Sequence, residues 1–301
     1  MKNFNIDDVG ILTKTILSGL PGVGKSFLAN ELSKKFFEDT GITLESVSSD
    51  VKFREIRKNS THPVVINFMK SHNIPQEDFP LLIKTSEFIK KYGEPCFRDL
   101  ESDVIINMLE NEEFNGKVPD LGGKAVLHPR TAEALKKHGY NIVYLKSNIN
   151  VIVQHVVHDF EKSLDGEHIA RSNINDEILH DITKTTPRIA RMTPLSFLIY
   201  RQNRLKKIMQ KRNTLRSKKC KDEVYLFWKR IEARNASALK IMTRMHNERN
   251  KLYEKYADVV VDIVGIKDTD INSLLKVIKN PTNNPTVNMS KIINNNKRCY
   301  S

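Results

Sequence analysis

The sequence is poor in cysteine and has no long apolar run. Its three cysteines, at positions 96, 220 and 299, have neither the spacing of a metal site nor that of a disulfide framework. No segment approaches the roughly 20 apolar residues of a membrane-spanning helix, and the first residues lack the apolar core of a secretory signal. These absences argue against a disulfide-rich secreted domain and an integral membrane protein. We expect a cytoplasmic protein whose thiols stay reduced.

Metal-ligating and nucleophilic groupings are also scarce. His155 and His158 lie three residues apart on a predicted helix, but no carboxylate or cysteine nearby completes a metal site. We interpret both as structural. No pairing of a nucleophile with a base is visible either, so the chemistry has to come from a motif of another kind.

Acidic residues are scarce in one segment of an otherwise balanced chain. Residues 201–251 contain 17 Lys and Arg but only 4 Asp and Glu. This surplus equals the net charge of +13 of the whole chain. Because like charges concentrated in one segment repel each other, the segment favours an anionic partner, such as nucleic acid, an acidic protein or an anionic membrane.

One motif for chemistry is complete. Residues 19–26 read Gly-Leu-Pro-Gly-Val-Gly-Lys-Ser and lie between a predicted buried strand and a predicted helix. A glycine-rich turn at a helix N-terminus presents backbone N–H groups to a phosphate. We expect Lys25 to reach the β- and γ-phosphates of ATP and the Ser26 hydroxyl to hold Mg²⁺. The predicted nucleotide-contacting residues are Gly19, Gly22, Val23, Gly24, Lys25, Ser26 and Phe27.

Short apolar strands alternate with amphipathic helices along most of the chain. The strands are predicted at residues 14–18, 43–48, 116–123, 140–145 and 257–264. This alternation predicts an α/β fold of three layers, in which helices cover both faces of a parallel five-stranded sheet. Pro119 makes the third strand irregular or marks its beginning.

The predicted core is interrupted once. It comprises residues 1–161 and 247–279, and the interruption at residues 162–246 carries two apolar helical stripes, as an α-helical hairpin would. A turn between the two helices is predicted near residues 216–221. The tail at residues 280–301 is rich in Asn, Thr and Pro and is predicted to be disordered.

Four further motifs accompany the glycine-rich loop. Asp50 directly follows the second strand, at the sheet edge where open α/β proteins bind ligands. Residues 97–101 read Phe-Arg-Asp-Leu-Glu and begin a helix. Residues 121–126, Leu-Gly-Gly-Lys-Ala-Val, form a second turn that exposes backbone, and residues 247–254, Asn-Glu-Arg-Asn-Lys-Leu-Tyr-Glu, precede the last strand.

Together and in this order, these motifs resemble the shikimate kinase family, whose members are similar to nucleoside-monophosphate kinases. The resemblance covers most of residues 14–160 and 246–279. It implies an enzyme that moves the γ-phosphate of ATP, with Mg²⁺, to a hydroxyl of shikimate or a related carboxylated acceptor. It also implies that Lys25, Asp50 and Arg98 carry the catalysis.

The resemblance implies roles for single residues. Asp50 would orient the acceptor hydroxyl and receive its proton, and Arg98 and Arg249 would clamp the acceptor carboxylate. The other implied acceptor-binding residues are Glu101, Gly122, Gly123 and Lys124. Taken alone, Asp50 would equally fit a helix N-cap, and Arg249 would fit the basic segment.

The chain departs from the family pattern in three places. Ser48 stands where the family commonly has an Asp that helps to hold Mg²⁺ through water, which bears on metal affinity. Lys124 replaces the third glycine of the turn, and the stretch from Asp50 to Arg98 is longer than usual. These two departures bear on the identity of the acceptor.

Family members close an arginine-bearing lid over ATP, which excludes water from phosphoryl transfer. At the matching place this chain has the interruption, in which Arg188 and Arg191 are the candidate lid cations. Two alternatives to a small-molecule kinase stay open. In the first, the core is a nucleotide-dependent switch. In the second, it is a kinase that binds a large anionic acceptor through the basic helical arm, and that acceptor is a nucleic acid, a phosphoinositide or an acidic protein.

Overall fold

The computed structural model describes residues 9–164, 172–185, 218–263, 271–279 and 286–288. The chain forms two compact units. The core unit comprises Met1–Ser147 and Arg249–Ser301, and the insertion unit comprises Asn148–Glu248. The boundaries predicted after residues 161 and 246 stay predictions. Neither unit has a described helix with the length and apolar character needed to span a bilayer.

The core unit is built on parallel strands. They are β1 (Thr15–Ser18), β2 (Ser46–Ser48), β3 (Val118–Asp120), β4 (Asn141–Ser147), β5 (Val259–Ile263) and β6 (Thr286–Asn288). Strands β1, β4, β5 and β6 pair in that order, and β2 pairs with β3. All the described ladders are parallel, which confirms the α/β class.

The sheet differs in detail from the single five-stranded sheet that the sequence predicts. Strand β3 lies beside β1, yet the two share no described ladder. The N–H of Val118 donates to Glu45 on the β2 side, and successive N–H groups of a strand point to opposite sides. Position 119 therefore carries the N–H that would face β1, and Pro119 has none. The predicted irregularity of this strand is confirmed.

Strand β6 was not predicted. Residues 286–288 extend the sheet by pairing with β5, within the tail predicted to be disordered. The rest of that tail lies outside the described residues, and for it disorder stays a prediction.

Helices connect the strands of the core unit. They are α1 (Val9–Thr13), α2 (Lys25–Thr40), α3 (Ser49–Ile56), α4 (Pro63–Ser71), α5 (Phe79–Ile83), α6 (Thr85–Glu110), α7 (Pro129–Lys137) and, near the end, α11 (Ile271–Lys279). Helix α2 buries the predicted stripe of Leu28, Leu32 and Phe36 and contacts β1, β3 and α11. Helix α6 is broken at Gly93, where φ is 87°. The part after this break carries Arg98 and Glu101.

The insertion unit is helical. It contains α8 (Ile149–Leu164), α9 (Ser172–Thr185) and most of the 39-residue helix α10 (Lys218–Tyr256), whose last turns belong to the core unit. The predicted second stripe is thus helical, but its described partner is α9, which the sequence did not reveal. Residues 186–217, including the first predicted stripe, lie outside the described residues.

Helices α9 and α10 run antiparallel. Asp181 pairs with Lys240 at 2.6 Å, and Glu177, one turn earlier on α9, pairs with Arg244 at 2.6 Å. Ile178 on α9 and Met242 on α10 are both fully buried. Part of the positive charge of the basic segment is therefore neutralised inside the insertion unit.

Candidate active site

The glycine-rich loop connects β1 to α2. Gly19, Gly22 and Gly24 have φ values of 144°, 88° and 98°. Residues other than glycine rarely adopt such positive φ values. A Cβ on Gly19 would lie 2.7 Å from the backbone oxygen of Leu145, so this position requires glycine. Gly24 directly precedes α2, whose first N–H groups are left for a phosphate.

The predicted nucleotide-contacting residues occupy this loop and the first turn of α2. Val23 is buried and its N–H donates to the Leu20 oxygen at 3.2 Å, whereas Ser26 and Phe27 are exposed. The Lys25 ammonium donates to the oxygens of Gly19 at 3.0 Å and Leu20 at 3.3 Å. Its charge is thereby held at the mouth of the loop.

The turn at Gly122 and Gly123 lies opposite the loop. A Cβ on Gly123 would be 3.7 Å from the Gly19 oxygen and 3.8 Å from the Lys25 ammonium. The two glycine-rich segments therefore approach each other closely, and Lys25 faces both.

Asp50 converges on the same turn from α3. A Cβ on Gly122 would lie 2.7 Å from Asp50 Oδ1 and 3.4 Å from Glu101 Oε1, and the Gly122 N–H donates to Ser49 Oγ at 3.2 Å. Only glycine leaves room for both carboxylates here. Ser48 is the N-cap residue of α3, so the alternative interpretation of Asp50 as a helix N-cap is wrong.

Arg98 lies between two carboxylates on its own helix. Its Nη1 donates to Glu101 Oε2 at 2.8 Å, and its Nη2 donates to Glu94 Oε1 at 3.1 Å. Glu94 also pairs with Lys124, the departure from the family turn. The Arg98 guanidinium, which is predicted to bind an acceptor carboxylate, is therefore already bound to two carboxylates from the protein itself.

The pKa shifts of these groups follow from burial and mutual attraction. Burial raises the pKa of Glu101, although Arg98 acts against it. Burial acts to raise the pKa of Glu94 as well, but Lys124 and Arg98 outweigh it and lower that pKa. Burial acts to lower the pKa of Arg98, while Glu101 and Glu94 raise it above its ordinary value. Glu94 and Arg98 therefore form a fully charged pair at neutral pH.

Arg249 approaches from the end of α10. It is only 9% exposed and belongs to the core unit, so it is not part of a solvated basic face. Its positive charge acts on the Tyr253 hydroxyl, which donates to the Gly123 oxygen at 2.5 Å. The Tyr253 ring stacks on Tyr144 with centroids 4.9 Å apart.

The Tyr253 hydroxyl, which is bonded to the turn, is also subject to the charges of both arginines. Burial raises its pKa to about 12, while the charges of Arg249 and Arg98 oppose that rise. The hydroxyl therefore stays protonated at neutral pH and keeps its hydrogen bond to Gly123. Sequence reasoning did not select Tyr253, although its position four residues after Arg249 places both on one helix face.

Asp120 is a second residue that sequence reasoning missed. It ends β3 at the same sheet edge as the loop and is partly buried. Burial raises its pKa, Lys25 acts against that rise and Asp50 adds to it, so its carboxyl lies within the electrostatic reach of both. The available signal was its position immediately before the Leu121-Gly122-Gly123 turn.

Two further predictions concern the lid arginines and the metal site. Arg188 and Arg191 lie outside the described residues, so their lid role stays a prediction. Where the structure is described, no three His, Cys, Asp or Glu side chains gather as a metal cage. Any Mg²⁺ site here would accordingly use few protein ligands, as this ion usually does.

Comparison with known proteins bears on the family. A protein-family model described as shikimate kinase matches residues 81–190, a segment that includes Arg98, Glu101 and the turn at residues 122–124. The family resemblance is confirmed. The glycine-rich loop, Asp50 and Arg249 lie outside the matched segment and reach the same site through the fold.

Individual relatives carry the same name. A shikimate kinase of Chloroherpeton thalassium is 29% identical over 107 residues, which is 34% of this chain and 55% of that protein. A shikimate kinase of Xylella fastidiosa is 34% identical over 74 residues, or 25% of this chain and 39% of that protein. The matched segments thus span about half or less of these two relatives.

Among solved structures, the shikimate kinase from Bacteroides thetaiotaomicron superposes with a TM-score of 0.42 at 13% identity. The superposition covers 88% of this chain and 95% of that one.

Proposed function

We propose that this protein is an ATP-dependent phosphotransferase that moves the γ-phosphate to a hydroxyl of shikimate or a related carboxylated small molecule. The observation that carries the proposal is the convergence on the turn at Gly122 and Gly123. A phosphate-binding loop with its lysine approaches from one side, and a carboxylate and two arginines approach from the other. The shikimate kinase match supports the same reaction class.

The reaction needs positioning more than covalent chemistry. The acceptor oxygen forms a bond to the γ-phosphorus while the bond from that phosphorus to the β–γ bridging oxygen breaks, and ADP leaves. The acceptor hydroxyl transfers its proton to the Asp50 carboxylate. Lys25 and the backbone N–H groups of the loop stabilise the negative charge on the phosphates.

The arginines support a carboxylated acceptor. Arg98 is held beside the turn by Glu101, Arg249 is buried one helical turn before Tyr253, and the charges of both arginines act on the Tyr253 hydroxyl. Two planar guanidinium groups suit a carboxylate. Glu101, held by Arg98, would accept a hydrogen bond from an acceptor hydroxyl.

The donor set fits Mg²⁺ as the partner of ATP. Ser26 presents an exposed hydroxyl in the first turn of α2, and oxygen ligands together with phosphates and water suit this ion. Bound Mg²⁺ would neutralise charge on the phosphates.

Replacement of Lys25 tests the nucleotide part of the proposal. We expect Lys25→Ala to lose nearly all ATP turnover with a panel of shikimate-related acceptors and to keep its fold, because the backbone cradle is untouched. Lys34→Ala, which removes an exposed lysine from the same helix, is the control and should behave as wild type. Wild-type turnover in Lys25→Ala would refute the phosphate-loop assignment.

We also propose, as a second function, that the basic segment at residues 201–251 binds an anionic macromolecule or an anionic membrane surface. The segment has 17 basic and only 4 acidic residues, and this excess of positive charge favours an anionic partner. Ion pairs with α9 neutralise Lys240 and Arg244. Many of the other cations precede residue 220.

A further inference from the structure

At position 48 this chain has a serine, where the family resemblance leads us to expect an aspartate at the metal site. Ser48 ends β2, and its neutral hydroxyl lacks the charge of a carboxylate. In the parallel pair of β2 and β3, Ser48 is in register with Asp120. In-register residues of neighbouring strands point to the same face of a sheet. The structure therefore places a carboxylate beside the position where one is missing, on the adjacent strand.

The surroundings of Asp120 suit a ligand of the nucleotide site. The charges of Lys25 and Asp50 both act on its carboxyl, and Lys25 is the residue expected to reach the phosphates. Ser26 directly follows Lys25 in the chain. Phosphate-loop enzymes commonly hold Mg²⁺ through the loop Ser or Thr together with an Asp at the end of a neighbouring strand.

We infer that Asp120 supplies the carboxylate of the Mg²⁺–nucleotide site, directly or through a bound water, in place of the carboxylate absent at Ser48. The inference rests on the proposed function only in taking Mg²⁺–ATP as the ligand of the loop. It assigns Asp120 to the metal and leaves proton transfer to Asp50. Moving the carboxylate from β2 to β3 keeps it on the same sheet face.

A rival explanation is that Asp120 only holds the loop together by attracting Lys25. The two roles differ in what depends on the metal. A metal ligand matters only when the divalent ion is present, whereas a structural partner of Lys25 matters for nucleotide binding without metal as well.

The test measures metal and nucleotide binding without any acceptor. Mn²⁺ binding is followed by electron paramagnetic resonance in the presence of a non-hydrolysable ATP analogue, and analogue affinity is measured separately in EDTA. For Asp120→Asn we expect a loss in Mn²⁺ affinity of about tenfold or more and an affinity for the analogue in EDTA that is unchanged or higher. Asp103→Asn, which alters a carboxylate paired with Arg130, should match wild type in both.

A relocation variant tests the equivalence of the two strand positions. Ser48→Asp combined with Asp120→Asn returns one carboxylate to the pair, and we expect it to recover Mn²⁺ affinity. Thermal unfolding checks that each variant is folded. Wild-type Mn²⁺ affinity in Asp120→Asn would overturn the inference, as would an equal loss of analogue affinity in EDTA or a relocation variant that stays defective.

The outcome is separable from the proposed reaction. If the protein phosphorylates no carboxylated acceptor but Asp120→Asn still loses Mn²⁺, the acceptor proposal fails and this inference stands. If the protein phosphorylates shikimate and Asp120→Asn binds Mn²⁺ normally, the acceptor proposal stands and this inference fails.

Discussion

At the scale of single residues, the basic side chains of the candidate site are already paired with acidic side chains of this chain, at the place where a substrate would bind. Glu94 and Glu101 occupy the guanidinium of Arg98, and Glu94 also holds Lys124. A carboxylated acceptor would have to compete with Glu94, the more exposed of the two acids. If the proposed acceptor binds here, its carboxylate would replace that of Glu94.

Arg98→Lys distinguishes recognition by shape from recognition by charge. Lysine keeps the positive charge but loses the planar fork, so we expect Arg98→Lys to be nearly as damaging as Arg98→Ala. The loss of transition-state stabilisation should be on the order of 2–5 kcal/mol, measured as the change in kcat/KM. Arg130→Lys, at an exposed ion pair with Asp103, is the control. Near-normal kinetics of Arg98→Lys would show that no carboxylate is bound there in bidentate fashion.

Glu94→Gln should improve acceptor binding. Removing its charge frees Arg98 and Lys124, and a largely exposed ion pair is worth about 0.5–1 kcal/mol. We expect KM for the acceptor to fall roughly two- to fivefold, the equivalent of that energy, with kcat little changed. Glu87→Gln, at an exposed pair with Lys84 on the same helix, should leave KM alone. A higher KM in Glu94→Gln would instead mean that Glu94 helps to bind the acceptor.

The sequence revealed those site residues that lie in local motifs. Lys25, Asp50, Arg98 and the two glycines could be selected because each belongs to a short motif on which the family resemblance rests. Tyr253 lies within the motif at residues 247–254, and Asp120 directly precedes the glycine turn, but a local motif does not indicate which distant residues these side chains meet. The Tyr253 hydroxyl bonds the oxygen of Gly123, which is 130 residues away in the chain, and the register of β3 against β2 sets Asp120 beside Ser48.

At the scale of elements, the approach of α3 and α6 to the turn after β3 determines the geometry of the site. Gly122 lets the first turn of α3 bring Asp50 next to Glu101 on α6. Sequence periodicity predicted the apolar face of α6, and Phe97, Val104, Ile105, Met108 and Leu109 are buried as expected. It did not predict the preceding segment, which joins α6 across the break at Gly93.

Gly122→Ala should separate catalysis from folding. The new Cβ would lie 2.7 Å from Asp50 Oδ1, so that carboxylate has to move. Because a displacement of about 1 Å at a reacting group can cost roughly 10²-fold in rate, we expect a large fall in kcat. Gly10→Ala is the control, since its Cβ meets no atom within 4 Å.

Thermal unfolding of both glycine variants completes this test. Asp50 is exposed and can swing toward solvent, so we expect Gly122→Ala to lose far more activity than stability. Unchanged kcat in Gly122→Ala would show that the position of Asp50 is not needed for the reaction.

At the scale of the whole molecule, a nearly neutral core is combined with a basic insertion. The sequence located that asymmetry, because charge can be counted without knowing the fold. It did not locate α9, whose Glu177 and Asp181 neutralise part of the charge through Arg244 and Lys240. Such pairs depend on two helices meeting, and more than fifty residues separate each acid from its partner along the chain.

Charge reversal in the arm should separate polyanion binding from nucleotide binding. The positions to reverse are Lys206, Lys207, Lys211, Arg212, Lys218 and Lys219. We expect the variant to lose affinity for RNA, DNA or anionic vesicles while keeping that for ATP, because the loop, Asp50 and the arginine pair all belong to the core unit. Reversal of six exposed cations of the core unit controls for the net charge and should leave polyanion binding largely intact; they are Lys34, Arg54, Lys58, Lys70, Lys90 and Lys137.

Salt dependence supplies the second measurement on the same proteins. Contacts to several phosphates release counterions, so wild-type binding should weaken steeply between about 50 and 200 mM salt. ATP held by backbone N–H groups and Lys25 should respond far less, which gives each preparation an internal reference. If wild type binds no polyanion even at low salt, the polyanion proposal fails, and the basic segment is instead a contact for an acidic protein or for another copy of this chain, or a solvated spacer. The reaction proposed for the core would be unaffected, because none of its assigned residues except Arg249 comes from the segment.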